Sequence, residues 1–95
     1  MTGAPASLPR MPVHQVVVDV MLKPEILDPQ GQAVANAIPS LGLAVPGAVR
    51  IGKHVELELE ADDEAAALEQ ATRLAEVLLS NPVIEDFRVR PVPQG

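Results

Sequence analysis

The chain has no cysteine, tryptophan or tyrosine, and its one aromatic ring is Phe87. Without cysteine there are no disulfides, no thiolate metal sites and no thiol nucleophile. A single aromatic residue leaves no platform on which unpaired bases could stack. Basic residues are scarce too: 7 Lys and Arg against 13 Asp and Glu give a net charge of −6. That field repels phosphate backbones and anionic membranes, so neither nucleic acid nor a membrane is an expected partner. No apolar run approaches the roughly 20 residues of a membrane span. The first residues lack the basic-then-apolar pattern of a secretion signal. A soluble cytoplasmic protein is the expectation.

What remains is one small domain. The 95 residues bury only about 60–65% of the unfolded surface, which makes a marginal core. Disulfides, a metal or oligomerisation usually make up such a shortfall, and with no cysteine and only His14 and His54 as ring ligands, oligomerisation is the route left open.

Residues 1–12, rich in proline and without periodicity, read as a disordered tail, and residues 92–95 as a flexible C-terminus. The domain between them, 13–91, alternates strand and helix patterns. Residues 13–23 are dense in β-branched residues and predict a strand, with Val16, Val18, Val20 and Leu22 on one face. The other face, Val17, Asp19 and Met21, is half apolar, which suggests that another surface covers it. Asp28-Pro29 predicts a helix start, since the carboxylate can cap free N–H groups and proline suits the first helical position. Val34, Ala37, Ile38 and Leu41 come next at helical spacing, but Pro39 should end or kink the helix near Ile38, with Gly42 available as a left-handed terminus.

Residues 47–61 alternate, with Val49, Ile51, Val55, Leu57 and Leu59 opposite Arg50, His54, Glu56, Glu58 and Glu60. One long strand bent at Gly52 keeps this phase, and so does a hairpin with a three-residue loop; the bent strand is the preferred reading. Asp62 or Asp63 caps a second helix near 63–80, whose apolar face is Leu68, Ala71, Leu74, Ala75, Leu78 and Leu79. Asn81-Pro82 stops it. Residues 83–90 form the last strand, with Phe87 and Val89 inward and Arg88 and Arg90 outward. The expected fold is α+β: a two-layer sandwich of strand, helix, long bent strand, helix and strand on an antiparallel sheet, an abbreviated ferredoxin-like arrangement.

Catalytic groupings are absent from this pattern. His14 and His54 lack the spacing of a metal site. Arg50-Ile51-Gly52-Lys53-His54 is the densest basic stretch, yet it lacks the spacing and the hydroxyl of a phosphate loop. It reads as a solvated bend, a partner contact or, least of all, a phosphate contact. Glu56, Glu58 and Glu60 share an open strand face with no pocket to raise a pKa. No serine or threonine has a visible base partner. Catalytic, cofactor-binding and metal residues are therefore expected to be none.

Three segments carry a resemblance: Leu27-Asp28-Pro29-Gln30-Gly31, then Val49-Arg50-Ile51-Gly52-Lys53 leading into Glu56-Leu57, then Asn81 to Phe87. In this order and at this spacing the chain resembles the PurS family, small subunits of three-component formylglycinamidine ribonucleotide synthases. The resemblance implies a complex that converts formylglycinamide ribonucleotide, glutamine and ATP to formylglycinamidine ribonucleotide, glutamate, ADP and phosphate. It also implies a large synthetase subunit holding ATP and magnesium, a glutaminase subunit that makes ammonia, and a small non-catalytic subunit that forms a homodimer or higher homo-oligomer and bridges the two. Pro39 and the tail depart from the family pattern. On this reading Val17 and Met21 are candidates for self-association, and Arg50, Lys53, Arg88 and Arg90 for partner contacts. The architecture alone also permits a stand-alone regulatory module that binds a small ligand between subunits.

Overall fold

A computed structural model of the chain describes residues 11–44 and 47–93. The expectations for residues 1–10 and 94–95 lie outside the described residues.

The β-branched run at Val13–Leu22 forms β1, the centre of a three-stranded sheet. β2, Gly52–Glu60, and β3, Glu85–Pro91, flank it, and both run antiparallel to it. In register, Val18 lies between Val55 and Val89, and Val16 pairs with Leu57 and Pro91. The sheet therefore collects the even-numbered β1 side chains with the apolar side chains of both neighbours on one face, as period-2 alternation requires.

Two helices connect the strands: α1, Pro29–Ala37, and α2, Glu64–Leu74. The Asp63 carboxylate caps α2 by accepting from the Ala66 N–H at 2.8 Å. Ala67, Ala71 and Ala75 recur every fourth residue and are fully buried against Val16, Val18 and Val20. Small side chains on the helix let it approach the valine strand closely, so the core is tight but thin. Among the described residues, no fully buried side chain is larger than valine. Phe87, opposite Val20, is only half-buried at its edge.

The α+β class and the order of elements are those expected from the sequence, and four local features need correction or refinement. α1 ends at Ala37 and continues as a 3-10 turn, Ile38–Leu41, closed by Gly42 at φ 80°, which is the break that Pro39 and Gly42 predict. The alternating stretch 47–61 is neither one long strand nor a hairpin: the ladder begins at Gly52, because the Ile51 N–H is already committed elsewhere. After Leu74 the helix widens into a π turn, Ala75–Leu79, in which the Ser80 N–H reaches the Ala75 carbonyl at 3.0 Å. The extra residue rotates the remainder of the helix by about 100°, so Leu78, expected inward, is 73% exposed. Finally, the layer over the sheet is supplied by α2, which packs on all three strands, whereas α1 stands off to one side.

Gly31 explains where α1 sits. A Cβ there would fall on the carbonyl oxygen of Val49, well inside contact distance, so the first turn of α1 lies directly on the segment entering β2. Gly31→Ala should destabilise the fold by about 2 kcal/mol or more, since backbone on both sides must shift. Gly47→Ala, whose Cβ would meet nothing within 4 Å, should stay within about 0.5 kcal/mol of wild type. Urea denaturation of the two variants measures the difference.

Candidate functional site

The two segments Leu27–Gly31 and Arg50–Lys53, roughly twenty residues apart in sequence, form one knot. Asp28 is 6% exposed. One of its carboxylate oxygens accepts from the Gly31 N–H at 2.8 Å, capping α1, and the other accepts from the Ile51 N–H at 2.8 Å, holding the entry to β2. Both are charge-assisted bonds, the stronger class. These bonds, that of Gly31 first and that of Ile51 second, hold the Asp28 carboxyl below the usual carboxylate range.

Arg50 completes the knot. Its guanidinium donates to the carbonyls of Leu22 at 3.3 Å, Lys23 at 2.9 Å and Ile26 at 3.2 Å, which end β1 and line the turn behind it. Arginine's planar fork suits three converging acceptors that no lysine could reach together. Gly52 is required next to it, since a Cβ there would collide with the Val20 carbonyl and the Met21 side chain.

The basic cluster seen in the sequence is thus dispersed in space. Lys53 turns the other way and its Nζ donates to the Leu79 carbonyl at 2.7 Å, at the end of the π turn. His54 lies on the open face of the sheet. Of the four candidate contact residues, Arg50 and Lys53 bond the chain's own carbonyls, and Arg90 bonds Asp19. Arg88 is exposed and makes no hydrogen bond or ion pair among the described residues.

The open face, opposite α2, corrects a second expectation. Val17 is only 3% exposed, so it presents no apolar surface to another protein. The ring nitrogens of His54 lie 2.9 Å from Asp19 Oδ1 and 3.1 Å from Glu56 Oε2, and Arg90 Nε donates to Asp19 Oδ2 at 3.1 Å. This chain of charges crosses all three strands beside Val17, whose register partners are Glu56 and Arg90. The apolar residue on the outer face is covered by its own neighbours. Met21, at 38% exposure, packs over Gly52 instead.

His14 bonds the Ala61 carbonyl at 3.2 Å, on the other face from His54. Among the described residues, no group of three or more His, Asp or Glu is placed to hold a metal ion. No described helix is long and apolar enough to cross a membrane. The sequence reading missed Asp19 and the second bond of Asp28; for Asp19, the signal was a carboxylate on β1 facing two charged strands.

The family model for PurS, described as phosphoribosylformylglycinamidine (FGAM) synthase, matches residues 15–93. The chain is similar to the phosphoribosylformylglycinamidine synthase subunit PurS of Mycobacterium leprae, 48% identical over 77 residues, 79% of this chain and 91% of that one. Its fold is similar to the crystal structure of the purS subunit from Thermotoga maritima, with a TM-score of 0.80 at 32% identity, over 88% of this chain and 97% of that one. A chain in the structure of PurLQS from the same organism matches with a TM-score of 0.79 at 34% identity, over 86% of this chain and all of that one, 100%.

The ion network makes stability depend on pH. Only the imidazolium donates through both nitrogens, and the bonds to Asp19 first and Glu56 second raise the His54 pKa above its ordinary value. A raised folded pKa gives stability that is full below the unfolded value, about 6.5, and is lost as pH climbs through the folded one. The bonds from His54 first and Arg90 second lower the Asp19 pKa, so its contribution holds above about 3.9 and is lost as pH falls. The melting temperature should therefore fall as pH rises above about 6.5, and His54→Gln should flatten that slope in thermal scans.

Proposed function

The chain belongs to the PurS family of phosphoribosylformylglycinamidine (FGAM) synthase subunits, and on that premise we propose that it is the enzyme's small assembly piece, holding the glutaminase and synthetase subunits in register during purine biosynthesis. The complete enzyme converts formylglycinamide ribonucleotide, glutamine and ATP to formylglycinamidine ribonucleotide, glutamate, ADP and phosphate. On this reading ATP and magnesium bind the large subunit, and no catalytic residue, cofactor or metal belongs to this one. The setting is the cytoplasm.

One observation carries the reading. The segments that resemble the family, around Asp28 and around Arg50, converge on each other and spend their charged groups on main-chain partners, so the groove they border, beside Ile26, Gln32 and Asn36, receives neither the Asp28 carboxylate nor the Arg50 guanidinium as a free reacting group. Their chemistry is consumed in fixing the relation of α1 to β2. A motif that rigidifies a surface suits a scaffold.

The physical need is plain. Ammonia released into neutral water is protonated and diffuses away, so its productive transfer requires two active sites held at a fixed separation. A small rigid domain that buries surface against both partners supplies that constraint. β1 is hydrogen-bonded on both sides, and the ends of α1 and β2 are tied by a shared carboxylate. Self-association adds to the stiffness, because it enlarges a thin core. Arg88 is the leading contact to a larger subunit, since it alone of the four candidates lies without a hydrogen-bond partner among the described residues.

Reconstitution tests the role. Omitting this chain should lower glutamine-dependent FGAM formation at least about tenfold, as loss of fixed placement implies, while added ammonia restores turnover by the synthetase. Glutamine-dependent turnover unchanged by omission, or glutaminase or ATPase activity of the isolated chain, would sink the proposal. Arg88→Glu should weaken binding to a partner subunit in titration calorimetry by about tenfold without changing the melting temperature.

A further inference from the structure

The alternation of the sheet is broken at one end. On the face that α2 covers, β2 presents Val55, Leu57 and Leu59, and β3 presents Phe87 and Val89, all partly buried against the core. One step further along each strand, the same face carries a charge. Lys53 pairs with Val20 and Glu85 pairs with Leu22, and directly paired residues share a face of the sheet. Two charged residues of opposite sign thus flank the end of β1, at positions that the pattern reserves for apolar side chains.

They do not neutralise each other. Lys53 Nζ donates to the Leu79 carbonyl at 2.7 Å, and Glu85 Oε1 accepts from the Asn81 N–H at 2.7 Å. Those two main-chain groups lie on either side of Ser80, which is extended. The ammonium and the carboxylate are therefore anchored near one another, yet no ion pair joins them among the described residues. An ammonium has three N–H groups and a carboxylate two oxygens, so each keeps capacity beyond its anchor.

Beside them lies a hollow of about 490 Å³, within the size range of small-molecule sites. It opens where the helical layer ends: the π turn closes at Leu79, next to Lys53, and α1 stands aside. Val20, Leu22 and Ile51 give it an apolar lining, and Gln30, from the first turn of α1, joins Lys53 and Glu85 in its polar lining. Asp28 borders it too, but its two oxygens are committed to Gly31 and Ile51.

We propose that this hollow binds a free α-amino acid, its carboxylate on Lys53, its ammonium on Glu85 and its side chain over the apolar lining toward Gln30. The charges select that class. A phosphate would meet Glu85 and a protein of net charge −6, and a simple cation would meet Lys53. A zwitterion satisfies both groups through charge-assisted bonds, the stronger class. The Gln30 amide offers a donor and an acceptor, the complement of a side-chain carboxamide, which singles out glutamine. On the assembly role proposed above, glutamine is also the amide donor of the complex, and a bound molecule would tie α1, β2 and β3 together when that donor is at hand. The site itself goes beyond that role and stands or falls without it.

NMR titration of the full chain with L-glutamine should shift the amide signals of Lys53 and Glu85, with a Kd on the order of 1 mM, as a small ligand in an open site implies. Two analogues dissect the recognition: 4-carbamoylbutanoate lacks the ammonium and 4-aminobutanamide lacks the carboxylate. Each should bind at least about tenfold more weakly. Glu85→Gln keeps an acceptor for Asn81 and Lys53→Gln keeps a donor, but each removes a charge and should weaken glutamine binding at least about tenfold. Melting temperatures show whether the variants fold, and the analogue comparison, made on the unaltered chain, decides the matter where they do not. No binding at about 10 mM glutamine, shifts confined to residues away from the hollow, equal binding of glutamine and either analogue, or equal binding by folded variants overturns the proposal. Glutamine-dependent turnover with and without this chain judges the assembly role separately.

Discussion

A buried carboxylate with two oxygens and two backbone N–H groups to satisfy organises this molecule. Asp28 bonds Gly31 within its own helix turn and Ile51 at the threshold of β2. Each bond alone would be an ordinary cap or an ordinary loop contact. Together they make the start of α1 and the start of β2 one rigid unit, and they remove the Ile51 N–H from the sheet. β2 can therefore begin no earlier than Gly52. Arg50 then faces the end of β1 and the turn behind it, and its guanidinium donates to the carbonyls of Leu22, Lys23 and Ile26 there. Removing the carboxylate would orphan two N–H groups in different elements at once, which is why the local geometry is over-determined.

The same clamp divides the surface by charge. By seating the first turn of α1 on the Val49 carbonyl it directs the rest of that helix away from the sheet, so the uncharged residues of α1 and the turn after it, 32–44, lie outside the core. The sheet's open face goes the other way, to an ion-pair chain through Glu56, His54, Asp19 and Arg90. Exposed pairs of this kind add little stability individually. Their consequence here is structural: the one valine pointing outward from the middle of β1 is hidden among them, and that face remains polar. One side of the molecule is fit for water and for charged partners, the other for an apolar contact.

Much of the fold was legible in the sequence because it is written in local rules. Asp28-Pro29 at a helix start, Pro39 and Gly42 at its end, and the alternation around Val16–Val20 each name their own structure through backbone chemistry. What was not legible depends on residues distant in the chain. The need for glycine at 31 comes from a carbonyl eighteen positions later, and the burial of Val17 comes from its pairing with Glu56 and Arg90. Leu78 was misplaced because a π turn leaves no mark in a 3.6-residue pattern. Arg50, Lys53 and His54 looked like one basic patch, yet backbone geometry sends the three side chains toward three different parts of the molecule. The motifs identified the family through resemblance, while the reason those motifs exist lies in the contact between them.

The size of the core links these features to the function. Three valines and three alanines are fully buried between β1 and the second helix, with Ala61 beside them, and nothing larger than valine is enclosed among the described residues. At about 25 cal/mol per Å² of apolar surface, side chains this small contribute little each, so the fold draws a large share of its definition from clamped backbone instead of packed volume. Such a domain is stiff where its polar bonds are and incomplete where its apolar surface faces water. Both traits serve a spacer between larger proteins. The clamp keeps its contact surfaces at constant separation, and the uncovered helix makes association, more than solitary folding, the state in which its hydrophobic surface is satisfied. A catalytic subunit would need the opposite arrangement, with enclosed volume to exclude water and polar groups left unpaired to act on a substrate.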